Sequence, residues 1–328
     1  MRRYGKWMSA THTSSPAGIV VRGVARSFGA VHAVRDASLD AKPGTVTALI
    51  GPNGSGKTTL MLMLASLLQP DAGSILVAGA DPVVDPLAVR RALGWMPDAL
   101  GSWNALTVRS TLETTGRLYR MSKPVAAARA SELLHLIGLD ELASQQTRVL
   151  SRGQKQKLSL ARALVHDPAV LLLDEPASGL DPVARHDLQQ LVRRLAGEGK
   201  TVLISSHVLA ELDEMADSAV YLEAGVTASA DRIARTKLTA RPWRIRSADR
   251  DALRAALVAS GVAPVDIADD RDELVVPLTG EDAAADLLAR LVTAGVPIST
   301  FAPAIGDLEH TFLDLNRTSK ASETEATP

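Results

Sequence analysis

The chain has 328 residues, of which 46% are apolar, 22% charged and 3% aromatic, and its 36 Lys+Arg nearly balance its 37 Asp+Glu. At about 150 residues per domain this length suits two domains, each able to bury a core, and a net charge of −1 gives no overall attraction to nucleic acid or anionic lipid. The absence of cysteine excludes disulfides, thiolate zinc sites and a cysteine nucleophile.

The first 17 residues read as a loose tail: Arg2, Arg3 and Lys6 precede polar Ser9–Ser15, where a signal peptide needs its apolar stretch. Alternation over Gly18–Phe28 and the β-rich run Thr45–Ile50 predict strands. Further short strands are expected at Ser74–Val77, Ala169–Leu173, Thr201–Ser205 and Ala219–Glu223, with helices at Lys57–Leu68, Pro182–Ala196 and Leu209–Ala216. Strand and helix in repeated order predict an α/β layer structure with a largely parallel core sheet. Between about residues 98 and 165 the pattern turns helical, which predicts a helical insert within an α/β domain spanning 18–238.

From residue 239 the pattern restarts: strand Trp243–Arg246, helix Asp251–Ser260, strands Val265–Ile267 and Glu273–Leu278, helix Glu281–Thr293, strand Ile298–Ala302. This βαββαβ order predicts a small ferredoxin-like α+β domain over 239–316. It holds 7 Arg and no Lys against 13 acids, a balance of −6, whereas the rest of the chain holds 29 basic and 24 acidic residues, a balance of +5. Residues 317–328, rich in Ser, Thr, Glu and Ala, read as a disordered tail. Leu291–Gly306, the longest uncharged run found, carries Pro297 and Pro303, which disqualifies it as an apolar helix of the ~20 residues that span a bilayer.

Two stretches carry chemistry. Gly51-Pro52-Asn53-Gly54-Ser55-Gly56-Lys57-Thr58 satisfies G-x-x-x-x-G-K-[ST], after a predicted strand and before an apolar helix. Its glycines let backbone N–H groups curl around an anion, Lys57 can reach β/γ-phosphates and the Thr58 hydroxyl can ligate Mg²⁺, with Thr59 placed for the α-phosphate. Downstream, the apolar strand 169–173 delivers Asp174 and Glu175 at its carboxyl end, where open α/β sheets bind ligands. Asp174 would hold Mg²⁺ and Glu175 would orient and deprotonate the attacking water.

These residues resemble the ATP-binding subunits of ATP-binding-cassette (ABC) transporters, and further matches follow in the family's order over about residues 19–235. Leu150-Ser151-Arg152-Gly153-Gln154 resembles the signature loop, Ser178-Gly179-Leu180-Asp181 the D-loop, His207 the switch histidine, and Phe28 the aromatic that stacks on adenine. Read singly, Ser151 is also a helix N-cap, His207 an ordinary strand-end histidine and Phe28 a core residue. His135, Met61, Met63, Trp95 and Trp103 are assigned to packing. The sequence departs from the family twice: Asp98 stands where Gln is usual, and Arg152 replaces the first Gly of the signature. An acid at 98 could contact Mg²⁺ or water, and the Arg152 side chain must point away from the nucleotide or pair with an acid.

The resemblance implies a P-loop NTPase ABC cassette, a RecA-like core with helical insert, that uses ATP and Mg²⁺. It implies a homodimer sandwiching two ATP: Lys57, Thr58, Asp174, Glu175 and His207 come from one subunit, and Ser151, Gly153 and Gln154 from the other. It further implies a membrane permease on a separate chain, with this subunit peripheral on the cytoplasmic face of the cell membrane and no nucleic-acid partner. The signature, Asp98 and the C-terminal module look most like ATPases of drug, antibiotic and polysaccharide exporters. An importer ATPase and a soluble ABC ATPase without a transport role are the alternatives.

Overall fold

The computed structural model describes residues 18–98, 101, 103–206, 209–229, 233 and 239–315. They form two compact units. One runs to Ser206 and adds Leu222–Thr227; the other comprises the described residues from 209 to Tyr221 and from Ala228 onward.

The first unit opens with an antiparallel hairpin, β1 (Ile19–Phe28) and β2 (Val31–Ala41), reversed at Gly29 with φ +58°. β2 has no clear strand period in the sequence, because its register with β1 slips three times between Val21 and Ser27. Its buried residues Val34, Ala37, Leu39 and Ala41 therefore break the period of two on which strand recognition depends. β3 (Val46–Ile50) leads into α1 (Lys57–Leu64), then come β4 (Ala72–Val77), α2 (Pro86–Ala92) and β5 (Leu93–Met96). α3 (Val108–Leu118), α4 (Lys123–Leu136) and α5 (Arg152–Leu164) make up the expected helical insert. β6 (Val170–Asp174), α6 (Pro182–Gly197), β7 (Thr201–Ser205), α7 (Leu209–Met215), β8 (Ser218–Glu223) and β9 (Val226–Thr227) follow.

Nine strands form one sheet in the order β4-β1-β2-β9-β8-β3-β7-β6-β5. The run β3-β7-β6-β5 is parallel, and β3, β6 and β7 are buried at every position, as continuous apolar strands covered on both faces must be. Parallel pairing has a direct consequence for chemistry. It brings the carboxyl ends of four neighbouring strands to one sheet edge, and with them Gly51, Ser205, Asp174 and Asp98.

In the second unit, β10 (Arg241–Ser247), α8 (Arg250–Ala259), β11 (Ala268–Asp270), β12 (Glu273–Leu278), α9 (Gly280–Thr293) and β13 (Ile298–Pro303) occur in the β-α-β-β-α-β order. Their strands pair antiparallel in the order β11-β12-β10-β13. One sheet face, through Trp243, Ile245, Leu274 and Val276, packs on Leu253 and Leu257 of α8 and Ala284, Leu287 and Leu291 of α9. The strand expected at Val265–Ile267 is instead a 3-10 turn, Pro264–Asp266, with β11 beginning at Ala268. Proline lacks the N–H a strand ladder needs, and the true edge strand is exposed throughout, so no apolar period marks it. A last helix, residues 307–315, ties α7 and the start of β8 into this unit: the Leu308 N–H donates to Asp213 Oδ1 at 2.8 Å. No helix among the described residues is long and apolar enough to cross a membrane.

Candidate active site

The loop between β3 and α1 is shaped by its glycines. A Cβ on Gly51 would land on the Leu222 carbonyl oxygen, and one on Gly56, which has φ +102°, would strike the Ala33 carbonyl. Around Gly54, with φ +81°, there is open space instead. Gly56 caps α1 without any side-chain hydrogen bond, so the N–H groups of the first turn are left for an external acceptor. Ser55 Oγ is buried and bonds nothing. Buried hydroxyls are normally satisfied, and an orphan here, beside an open glycine cradle, fits an anionic ligand such as the phosphates of ATP. Pro52 and Asn53 are exposed on the loop, as is Thr58, while Thr59 is half-buried.

Lys57 is 9% exposed, and its Nζ donates to the carbonyls of Gly51 at 2.6 Å and Pro52 at 3.1 Å. Burial pushes its pKa down, while the nearby charges of Glu175 and Asp174 oppose that fall. The ammonium thus lies between the loop it folds into and the acids Asp174 and Glu175 at the end of β6. Those loop carbonyls are weak partners that a phosphate can replace.

Asp174 ends β6 only 4% exposed, paired in register with Ser205 on β7. Ser205 Oγ donates to Asp174 Oδ1 at 2.5 Å. Burial raises the Asp174 pKa; the Ser205 bond pulls it back, and the charges of Glu175 and Asp98 raise it further. Three carboxylates acting on one another beside a cradle for phosphate fit a divalent cation. Among the described residues no three His, Asp or Glu side chains converge closely enough to hold a metal by themselves. That suits Mg²⁺, which is held through one or two carboxylates plus phosphate oxygens and water rather than an all-protein cage.

Glu175 has φ +51°, uncommon for a residue with a side chain, and its peptide is pinned on both sides. Its N–H reaches Ser205 O and Oγ, both at 3.2 Å; its carbonyl accepts from Gln156 Nε2 at 2.9 Å and from the Ser178 N–H at 3.1 Å. Neither Ser205 nor Gln156 was singled out from sequence. Ser205 could have been found from the parallel neighbouring of its strand with 170–174, because a hydroxyl at that strand end faces the carboxylate; Gln156 carries no sequence cue.

The remaining expected residues are placed as follows. Ser151 caps α5 in a reciprocal capping box with Gln154, whose N–H donates to Ser151 Oγ at 3.2 Å while the Ser151 N–H donates to Gln154 Oε1 at 2.9 Å. The cap uses only an acceptor lone pair, so the Ser151 O–H is still able to donate. Arg152 Nη2 donates to Ser178 Oγ at 2.9 Å, so the side chain turns to the 178–181 loop rather than to an acid. Asp181 caps α6 by accepting from the Ala184 N–H at 2.9 Å, Leu180 is buried, and Gly179 has φ +75°. Phe28 is 48% exposed, with Arg26 over its ring at 5.0 Å, so it is an aromatic platform and not a core residue. His207 lies outside the described residues. Met61 and Met63 are buried as expected, whereas His135 is exposed and Trp103 stands 40% exposed against the Arg162 guanidinium. Both are expected to pack; instead His135 lies on the last turn of α4 beside Asp140, and Trp103 meets a guanidinium rather than the core.

A family model described as ABC transporter matches residues 34–178. The chain is 35% identical over 300 residues to the daunorubicin resistance ATP-binding protein DrrA3 of Streptomyces coeruleorubidus, covering 90% of this chain and 95% of that protein. It is 36% identical over 217 residues to the Nod factor export ATP-binding protein I of Rhizobium johnstonii, covering 66% and 70%. Among solved structures it resembles the dimeric post-hydrolysis state of the ATP-binding cassette MJ0796 bound to ADP and Pi, with TM-score 0.59 and 27% identity over 64% of this chain and 97% of that one. The 35% identity to DrrA3 across nearly the whole of both proteins, joined to the glycine cradle and its paired acids, means that this chain belongs to the ATP-binding proteins of the ABC transporter family.

Proposed function

We propose that this chain binds and hydrolyses ATP to power export through a separate membrane subunit. The observation that carries the reading is the convergence of Lys57, Asp174 and Glu175 at one sheet edge, with the glycine cradle beside them. Lys57 binds the β/γ-phosphates in exchange for the loop carbonyls, and Phe28 stacks on the adenine. Thr58 and Asp174, with Asp98 nearby, would hold Mg²⁺, which when bound would offset the negative charge of the phosphates. Glu175, its backbone fixed by Ser205 and Gln156, orients the attacking water and accepts its proton. His207 is assigned the switch role beside the γ-phosphate.

Two copies of the chain complete each site: Ser151, Gly153 and Gln154 of one close over the nucleotide of the other. The dimer named in the MJ0796 structure supports this arrangement. A groove of about 310 Å³ between α3, α5 and β5, lined by Leu67, Trp95, Pro97, Thr115, Tyr119 and Arg162, is the surface we assign to a short helix of the membrane subunit. The relatives' names, daunorubicin resistance and Nod factor export, favour export over import. Residues 239–316 are read as a ferredoxin-like accessory domain, and the whole as peripheral on the cytoplasmic face of the membrane.

Glu175→Gln in the full chain tests the chemistry: ATP binding is retained while turnover falls at least about a hundredfold. Unchanged turnover refutes the assignment of the base. Co-purification from detergent-solubilised membranes tests the rest. A multi-span protein in the complex supports transport, and ribosomal RNA in its place overturns it.

A further inference from the structure

The segment that carries Glu175 is gripped by the start of α5 at three points. Gln156 Nε2 donates to the Glu175 carbonyl at 2.9 Å. Arg152 Nη2 donates to Ser178 Oγ at 2.9 Å, and the Ser178 N–H donates back to that same Glu175 carbonyl at 3.1 Å. Arg152 also covers Gly179: a Cβ there would come within 2.6 Å of its Nε and 2.7 Å of its Cδ. The third point is Gly153, where an added Cβ would meet Leu180 Cδ2 at 3.2 Å. A glycine at 152 would leave the Ser178 hydroxyl without this partner and Gly179 uncovered.

We propose that Arg152 is a positioning residue for Glu175, acting through Ser178 and Gly179 of its own chain rather than on the nucleotide of the partner. Two hydrogen bonds meet at Ser178, one accepted by its hydroxyl and one donated by its backbone N–H, and link the guanidinium to the Glu175 carbonyl; Glu175 holds φ +51° only while its surroundings enforce it. The departure at 152 is thus a brace inside the chain. It joins the loop that faces the partner's nucleotide to the loop that carries the base for its own. The proposal rests on the reading of Glu175 as the base.

Steady-state ATP hydrolysis by the full chain tests it with Arg152→Ala, Ser178→Ala, the double variant, and Arg152→Lys. Displacing the base by a fraction of an ångström lowers kcat about tenfold in Arg152→Ala and Ser178→Ala, with KM for ATP and melting temperature unchanged. The double variant is no worse than either single change, because both break one path. Lysine, which can still reach Ser178 Oγ, restores part of the rate. Wild-type kcat in Arg152→Ala, or losses that add in the double variant, overturns the brace; additive loss means that Arg152 acts directly on nucleotide. Should Arg152→Ala fold poorly, Ser178→Ala alone decides, since it removes only a hydroxyl. Glu175→Gln separates the two readings: if it retains turnover, the assignment of the base fails, whereas an inactive Glu175→Gln beside a fully active Ser178→Ala sinks the brace alone.

Discussion

Ser205 is the residue on which the acidic pair depends, and Ser205→Ala isolates its contribution. The side chain is fully buried, donates to Asp174 Oδ1 at 2.5 Å and accepts from the Glu175 N–H at 3.2 Å. Alanine removes little volume, so the cost is dominated by a hydrogen bond to a charged, desolvated carboxylate, worth about 1.5–3 kcal/mol. For a unit of this size, about 2 kcal/mol lowers the melting temperature by about 4–8 °C. The pH dependence follows from the Asp174 pKa, raised above 3.8 chiefly by burial and held down by this bond. Without Ser205 it rises further. The penalty is full where the carboxylate is ionised, near pH 8, and shrinks as the pH is lowered toward the raised pKa, because a neutral carboxyl needs the bond less. Melting curves of the ligand-free protein across that range measure both. A shift under about 1 °C, or a deficit that does not narrow on acidification, refutes the claim that Ser205 supports an ionised Asp174.

Asp174→Asn acts in the opposite sense on stability. The folded state holds this proton to higher pH than the unfolded chain, so ionisation of Asp174 destabilises the fold at neutral pH. The variant should melt about 1–3 °C higher at pH 8, lose that advantage as the pH falls toward 3.8, and show Mg²⁺-dependent hydrolysis reduced at least about a hundredfold. Phe28→Ala removes an exposed stacking face worth about 1–3 kcal/mol and should weaken ATP binding about five- to a hundredfold in equilibrium titrations, with kcat at saturation little changed. Ile245→Ala leaves a cavity in the core of the 241–303 sheet, where the side chain is fully buried; a loss of about 2–4 kcal/mol should appear as raised hydrogen exchange confined to that module.

Much of this was legible in the chain itself. The glycine-rich loop is local: eight consecutive residues carry the left-handed glycines, the lysine and the hydroxyl, and backbone geometry there depends on residues a few positions apart. The parallel core was legible because strands buried on both faces are apolar without interruption, as in Val170–Asp174. The βαββαβ module was legible where helices alternate on a period near four, Leu253 and Leu257, and not at its polar edge strand. A cap at Ser151 was legible as one reading of a serine just ahead of a helical run, whereas its reciprocal box with Gln154 came from the structure.

Only the tertiary structure decided what depends on strands brought together from distant sequence. Ser205 lies 31 residues from Asp174 and meets it only because β7 pairs with β6 in that register. Arg152 and Ser178 are 26 residues apart, and nothing in either segment announces the bond between them. The slipped register of β2 likewise depends on its partner strand. Sequence thus specified which chemistry this protein carries, because that chemistry sits in short contiguous motifs. The fold decided which side chains hold those motifs in place, because support for a buried charge or a constrained peptide is delivered through space, by whichever neighbours the sheet and helices happen to bring within hydrogen-bond reach.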